Sequence, residues 1–184
     1  RITRVSFVAT MLERVLALRG DRRAPAALEL ILLGGGPASP QLLETAARLG
    51  YPVAPTYGLT EAASQVATRP PQSAPPQLAS GEADRAGGLQ AIGGVSLRIV
   101  DDEGNVLPPD EEGVIEVSGT TVMRGYLDDP AATARAFRGE WLSTGDVGRL
   151  DGSGRLRVID RRTDLILSGG ENVYPAEIES VLES

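Results

Sequence analysis

The sequence predicts an α/β protein: part of a parallel-sheet α/β subdomain, then a small antiparallel β-barrel, then the opening of a C-terminal α+β domain. Three observations carry this. Up to Glu61, short apolar runs and amphipathic stretches follow a strand, turn, helix, strand cadence, the pattern of parallel strands joined by crossover helices. Pro70, Pro71, Pro75 and Pro76 then break the composition, and such a stretch cannot be a regular helix or a central strand. Beyond it, strand-like runs lie at close spacing between turn signals such as Asp102-Glu103-Gly104-Asn105 and Asp151-Gly152-Ser153-Gly154, as in a small antiparallel barrel or sandwich.

Each element has its own warrant. Val8, Met11, Leu12, Val15 and Leu16 recur at helical spacing and predict an amphipathic helix from Val5 to Leu18, ending near Gly20. Leu28 to Leu33 is a continuous apolar run stopped by Gly34-Gly35-Gly36-Pro37, which reads as a buried strand entering a glycine turn. Ser39-Pro40 supplies a cap and a first-turn proline for a helix running to about Leu49. Tyr51 to Thr56 is a second strand, leading into a loop from Tyr57 to Glu61. In the second half, strands are expected at Gly94 to Val100, Gly113 to Ser118 and Arg155 to Ile159, with a helix near Pro130 to Phe137. A last helix, Pro175 to Leu182, places Ile178, Val181 and Leu182 on one face. The expected divisions are 1–80 for the α/β subdomain, 81–160 for the barrel, and 161–184 for a hinge and the start of a further domain.

Composition bounds the function. With 184 residues, 41% of them hydrophobic, the chain can bury a core of one domain or one and a half. A net charge of −7 and a pI near 4.7 argue against nucleic-acid binding. There is no Cys, hence no disulfide framework or thiolate metal site. No apolar run reaches bilayer length and no charged-then-apolar leader opens the sequence, so a cytoplasmic location is expected. All eighteen basic residues are Arg, and His is absent too, so few nucleophiles or general bases remain.

The residues that remain form handles for a nucleotide. Tyr57 can stack on a base, and the Gly34 to Gly36 backbone can approach a flat ring closely because no Cβ intervenes. Thr60 offers a hydroxyl to a phosphate, and Glu61 a hard oxygen for Mg²⁺. Asp146, in Ser143-Thr144-Gly145-Asp146 between strand-like runs, reads as a loop carboxylate able to accept from both hydroxyls of a ribose. Each piece also has an ordinary reading: a permissive turn for the glycines, a core position for Tyr57, a helix cap for Thr60, a simple turn for Gly145-Asp146.

With these motifs the chain resembles the adenylate-forming acyl-CoA synthetase superfamily. Four stretches carry the likeness: Leu33 to Pro37, Tyr57 to Gln65, Ser143 to Asp146, and Asp160 to Glu179. The resemblance implies ATP or AMP, Mg²⁺ and coenzyme A as ligands and a carboxylic acid as substrate, and it leaves open a homodimer of the intact enzyme. It implies that Gly34, Gly35, Gly36, Thr56, Tyr57 and Gly58 hold the adenine end, that Thr60 and Glu61 serve catalysis with Glu61 on the metal, and that Asp146 and Arg161 meet the ribose. Ser168, Gly169 and Gly170 would lie along the CoA path, and Thr163 falls at the hinge of the family, where members often carry Asp or Lys. Ser64 and Gln65 would meet the acid, and Ala62-Ala63-Ser64-Gln65 points to the branch whose aromatic acid carries a second carboxylate and a keto group. The family's two phosphate-directed lysines have no counterpart here, so the chain is expected to be the second half of the large domain plus the start of the small one. Another aryl- or fatty-acyl-CoA synthetase, a carrier-protein adenylation domain, and a non-catalytic nucleotide-binding module stay open as alternatives.

Overall fold

The computed structural model describes residues 2–71, 88–161, 166–168 and 171–173, with backbone pairing alone for 161, 166–168 and 171–173. The chain divides into two units, Arg1–Gly58 with Ala67–Leu89, and Leu59–Val66 with Gln90–Ser184.

The first unit is built on parallel strands. β1 (Arg4–Phe7), β2 (Leu30–Leu33) and β3 (Val53–Tyr57) lie side by side, with Val5 opposite Ile31 and Ile31 opposite Val53. The short β4 (Ala67–Thr68) runs antiparallel to β3. Between the parallel strands run α1 (Ala9–Arg19) and α2 (Pro40–Arg48), and Leu12, Leu16, Leu42 and Ala46 from the helices share one core with Ile31, Leu33 and Tyr51. α2 starts as expected: the Ser39 hydroxyl accepts from the Leu42 N–H at 3.3 Å and Pro40 occupies the first turn.

α1 corrects the sequence reading at its N-terminal side. Val5 belongs to a strand, and the helix begins only at Ala9. Exposure along β1 alternates residue by residue, so Val5 and Phe7 share one face with period two, and four parallel register pairs to β2 supply their hydrogen bonds. Val8 and Met11 stay 42% and 52% exposed, and the buried stripe is Leu12 and Leu16. Local spacing alone cannot separate four strand residues from the helix that follows them.

The second unit holds the expected antiparallel sheet. It opens with a 3₁₀ turn, Thr60–Ala62, and after β5 (Gln90–Ala91) come β6 (Val95–Val100), β7 (Gly113–Gly119), α3 (Pro130–Ala136), β8 (Phe137–Arg138), β9 (Trp141–Leu150) and β10 (Leu156–Arg161). The order is β10-β9-β7-β6, with β8 on β9. Ile99, Ile115, Val117, Leu142 and Leu156 fill its buried face. β11 (Ile166–Ser168) and β12 (Glu171–Val173) form a separate antiparallel pair. The helix expected at Pro175 to Leu182 lies outside the described residues.

β9 is the second correction. Asp146 does not sit in a loop between strands but inside a ten-residue strand. On β9, Ser143 to Val147 spans what Val114 to Glu116 spans on β7, so Thr144, Gly145 and Asp146 bulge opposite Ile115. Gly145 adopts φ +76°, the left-handed conformation that a bulge favours and a side chain resists. Read along the chain, that glycine looks like a turn.

Candidate active site

Within the first unit, the glycine turn and the aromatic emerge at the same sheet edge. β2 and β3 are adjacent and parallel, Gly34 to Gly36 follow Leu33, and Tyr57 closes β3, so all lie at carboxyl ends of strands, where open α/β sheets bind ligands. A Cβ on Gly34 would stand 2.8 Å from the Thr56 Cγ2, so glycine there is a packing requirement. Thr56 is itself fixed, its hydroxyl donating to the Ala67 carbonyl at 3.0 Å and accepting from the Thr68 hydroxyl at 2.9 Å. Tyr57 is half-buried and pairs with Ala67, and Gly58 is exposed.

Within the second unit, the 3₁₀ turn presents Thr60 and Glu61. Leu59, not Thr60, takes the capping position, so the exposed Thr60 hydroxyl is not used as a cap. The half-buried Glu61 is held twice: its carbonyl accepts from the Met123 N–H at 2.7 Å, and its Oε1 accepts from the Tyr126 hydroxyl at 3.0 Å. That bond to a carboxylate, ahead of desolvation, pushes the Tyr126 phenol above its ordinary value. After the turn, Ala63 and Ser64 take φ of 52° and 90°, two consecutive non-glycine residues in the left-handed region. Such backbone costs of order 1 kcal/mol per residue and concentrates at functional sites. It leaves Ser64 exposed and Gln65 half-buried.

Asp146 is 6% exposed in the β9 bulge. The Thr144 hydroxyl donates to the Ile115 carbonyl at 2.8 Å and accepts from the Asp146 N–H at 3.1 Å, so one side chain replaces the ladder bonds that the bulge opens. Arg161 stands opposite Asp146 in the β9–β10 register, which makes these two predicted residues cross-strand neighbours. The side chains of Arg161 and Ser168, together with Thr163, Gly169 and Gly170, lie outside the described residues; the Ser168 backbone pairs with Glu171.

Sequence reasoning missed two groups. Tyr126 lies 65 residues from Glu61, and no spacing rule connects them. Glu116 is 1% exposed on β7, one position from the Ile115 carbonyl that anchors the bulge. Its Oε2 accepts from Arg98 Nε at 2.7 Å and pairs with Nη2 at 2.6 Å, while Arg138 stands 3.8 Å from Oε1. The Arg98 guanidinium also lies 4.3 Å above the Trp141 ring centroid. A lone charge in Gly113-Val114-Ile115-Glu116-Val117 was the available signal, since an acid inside an apolar strand needs a buried cation.

The AMP-binding enzyme family model matches residues 1–127, and the chain belongs to this family. It is 50% identical over 184 residues to a 2-succinylbenzoate–CoA ligase of a Geobacillus species, covering 100% of this chain and 36% of that protein. Among solved structures, the o-succinylbenzoate coenzyme A synthetase of Bacillus subtilis in complex with ATP and magnesium superposes with a TM-score of 0.86 at 42% identity, covering 100% of this chain and 36% of that one. The same enzyme with its acyl-adenylate intermediate gives 0.86 at 42% identity, over 98% of this chain and 35% of that one. The chain thus spans about 36% of the length of the ligase it matches.

Proposed function

We propose that this chain is the AMP-holding segment of a cytoplasmic, ATP-dependent acid–CoA ligase, and that the acid is o-succinylbenzoate. The observation that carries the nucleotide reading is the 3₁₀ turn, where an exposed Thr60 hydroxyl stands next to a carboxylate tied down by two bonds from a distant loop. Full-length identity of 50% to a 2-succinylbenzoate–CoA ligase supports the choice of acid. The strained, exposed Ser64 and its neighbour Gln65 are suited to hydrogen-bond a second carboxylate or keto group.

Carboxylates are poor electrophiles, so the chemistry is activation: a carboxylate oxygen attacks the α-phosphorus of ATP and expels pyrophosphate, then the thiol of coenzyme A displaces AMP from the mixed anhydride. In this scheme Tyr57 and the Gly34 to Gly36 backbone receive adenine, Thr56 and Gly58 shape that edge, and Asp146 accepts from the ribose hydroxyls with Arg161 beside it. The Thr60 hydroxyl donates to the α-phosphate, which steadies charge that grows as the phosphorus is attacked. Ser168, Gly169 and Gly170 line the CoA path. A nucleotide-bound Mg²⁺ needs few protein carboxylates, the rest of its shell being phosphate oxygens and water. The described residues fit: none gather into an acidic cluster of three or more, and Glu61 offers a single held carboxylate. Mg²⁺ bound there would neutralise phosphate charge.

With no lysine among its eighteen basic residues, the chain by itself is expected to bind AMP weakly and to turn over negligibly. Calorimetry with AMP tests the first statement, and Asp146→Ala should remove the heat. Robust pyrophosphate release from the 184-residue chain would contradict the second.

A further inference from the structure

Glu61 is oriented by a side chain that no sequence motif assigned. Tyr126 donates to Glu61 Oε1 at 3.0 Å from the stretch between β7 and α3, and Met123 of the same stretch donates to the Glu61 carbonyl at 2.7 Å. The stretch is pinned in turn. The Tyr126 N–H donates to Thr133 Oγ1 at 2.8 Å, and that hydroxyl donates to the Asp129 carbonyl at 2.9 Å. Gly125 takes φ +153°, and a Cβ there would stand 2.7 Å from the Thr133 side chain, so the chain can pass α3 this closely only as glycine. The backbone on both sides of the bond is therefore set, and the phenol has one direction to point.

The Tyr126 ring is 41% exposed, so burial of apolar surface is a weak reason for its placement. What the side chain delivers is its hydroxyl. Among the described residues Glu61 Oε1 has this one side-chain partner, and Oε2 accepts no bond. A carboxylate on an exposed turn would otherwise sample several rotamers and lose that freedom on meeting a cation. Partners one step removed from a metal commonly orient the ligand and change metal affinity by 10–100-fold.

We propose that Tyr126 is a positioning residue for Glu61: its hydroxyl holds Oε1 and thereby reserves Oε2 for the divalent cation of a bound nucleotide. This rests on the assignment of Glu61 as the carboxylate that meets Mg·ATP. The cation is the only ligand affected, so metal-free AMP should be indifferent to the hydroxyl.

The test uses the full chain and calorimetric titrations of AMP without metal and of ATP at varied Mg²⁺. Tyr126→Phe keeps the ring and removes one oxygen. It should leave AMP affinity within about twofold and raise the Mg²⁺ needed for half-maximal ATP binding by about tenfold. In a Glu61→Gln background, which loses the Mg²⁺ dependence itself, Tyr126→Phe should have no further effect. An unchanged Mg²⁺ requirement in Tyr126→Phe, or an equal loss in the AMP and Mg·ATP titrations, overturns the inference while leaving the nucleotide reading standing. A wild-type chain that binds no AMP removes the nucleotide reading, and the inference with it.

Discussion

Glu116→Ala should be among the most damaging single substitutions in the second unit, and its magnitude follows from what surrounds the carboxylate. Glu116 is 1% exposed, and its principal partner Arg98 is only 23% exposed, whereas Arg138 is 47% exposed and sits at 3.8 Å. Removing the acid strands the Arg98 guanidinium without a counter-charge, a class of change that costs 3–5 kcal/mol. Arg98 keeps the face of Trp141 at 4.3 Å and part of its hydration, and Arg138 can turn to solvent, so the low end applies: about 3 kcal/mol. For a chain of this size that lowers the thermal midpoint by about 6–12 °C. The assay is urea unfolding followed by fluorescence of Trp141, the single tryptophan, which reports on the same cluster. Removing both charges together, Arg98→Met with Glu116→Leu, should recover stability to within about 1 kcal/mol of wild type, because no unpaired charge remains. A Glu116→Ala loss under about 1 kcal/mol, or a double variant no better than the single one, would refute the reasoning, since it would mean the pair is hydrated like a surface ion pair.

Three further outcomes are expected. Thr144→Val removes the hydroxyl that joins the Ile115 carbonyl to the Asp146 N–H; it should cost about 1–2 kcal/mol in urea melts and weaken AMP binding, by loosening the bulge. Gly34→Ala pushes a methyl to 2.8 Å from Thr56 Cγ2, and overpacking of this kind costs about 1–3 kcal/mol; normal stability in a melt would show that Thr56 yields freely. The Tyr126 phenol is raised by its bond to Glu61, so the folded protein holds that proton more tightly than the unfolded chain does. The bond's contribution is therefore complete below the ordinary phenol range near pH 10 and disappears as pH rises through the raised value. An ultraviolet titration should show one of the four tyrosines ionising late, and Glu61→Gln should return it to the others.

The parts that local chemistry writes were legible in the chain. Ser39-Pro40 as a helix start, Leu28 to Leu33 as a strand before a glycine turn, and the three strands Val95–Val100, Gly113–Gly119 and Leu156–Arg161 all follow from periodicity and capping, which act within a few residues. The candidate nucleotide residues were legible for the same reason, because Tyr57 to Glu61 and Ser143 to Asp146 are contiguous motifs.

Tertiary structure decided the rest. Whether Val5 is strand or helix depended on four backbone partners in β2, and whether Gly145 makes a turn or a bulge depended on Ile115 across the ladder. The orientation of Glu61 came from Tyr126, 65 residues away, and the pairing that keeps Glu116 charged inside a sheet came from Arg98 on the neighbouring strand. The physical reason is common to all four. Periodicity specifies which side chains share a face, while a hydrogen bond or ion pair needs two partners, and only the folded chain brings the distant one within reach.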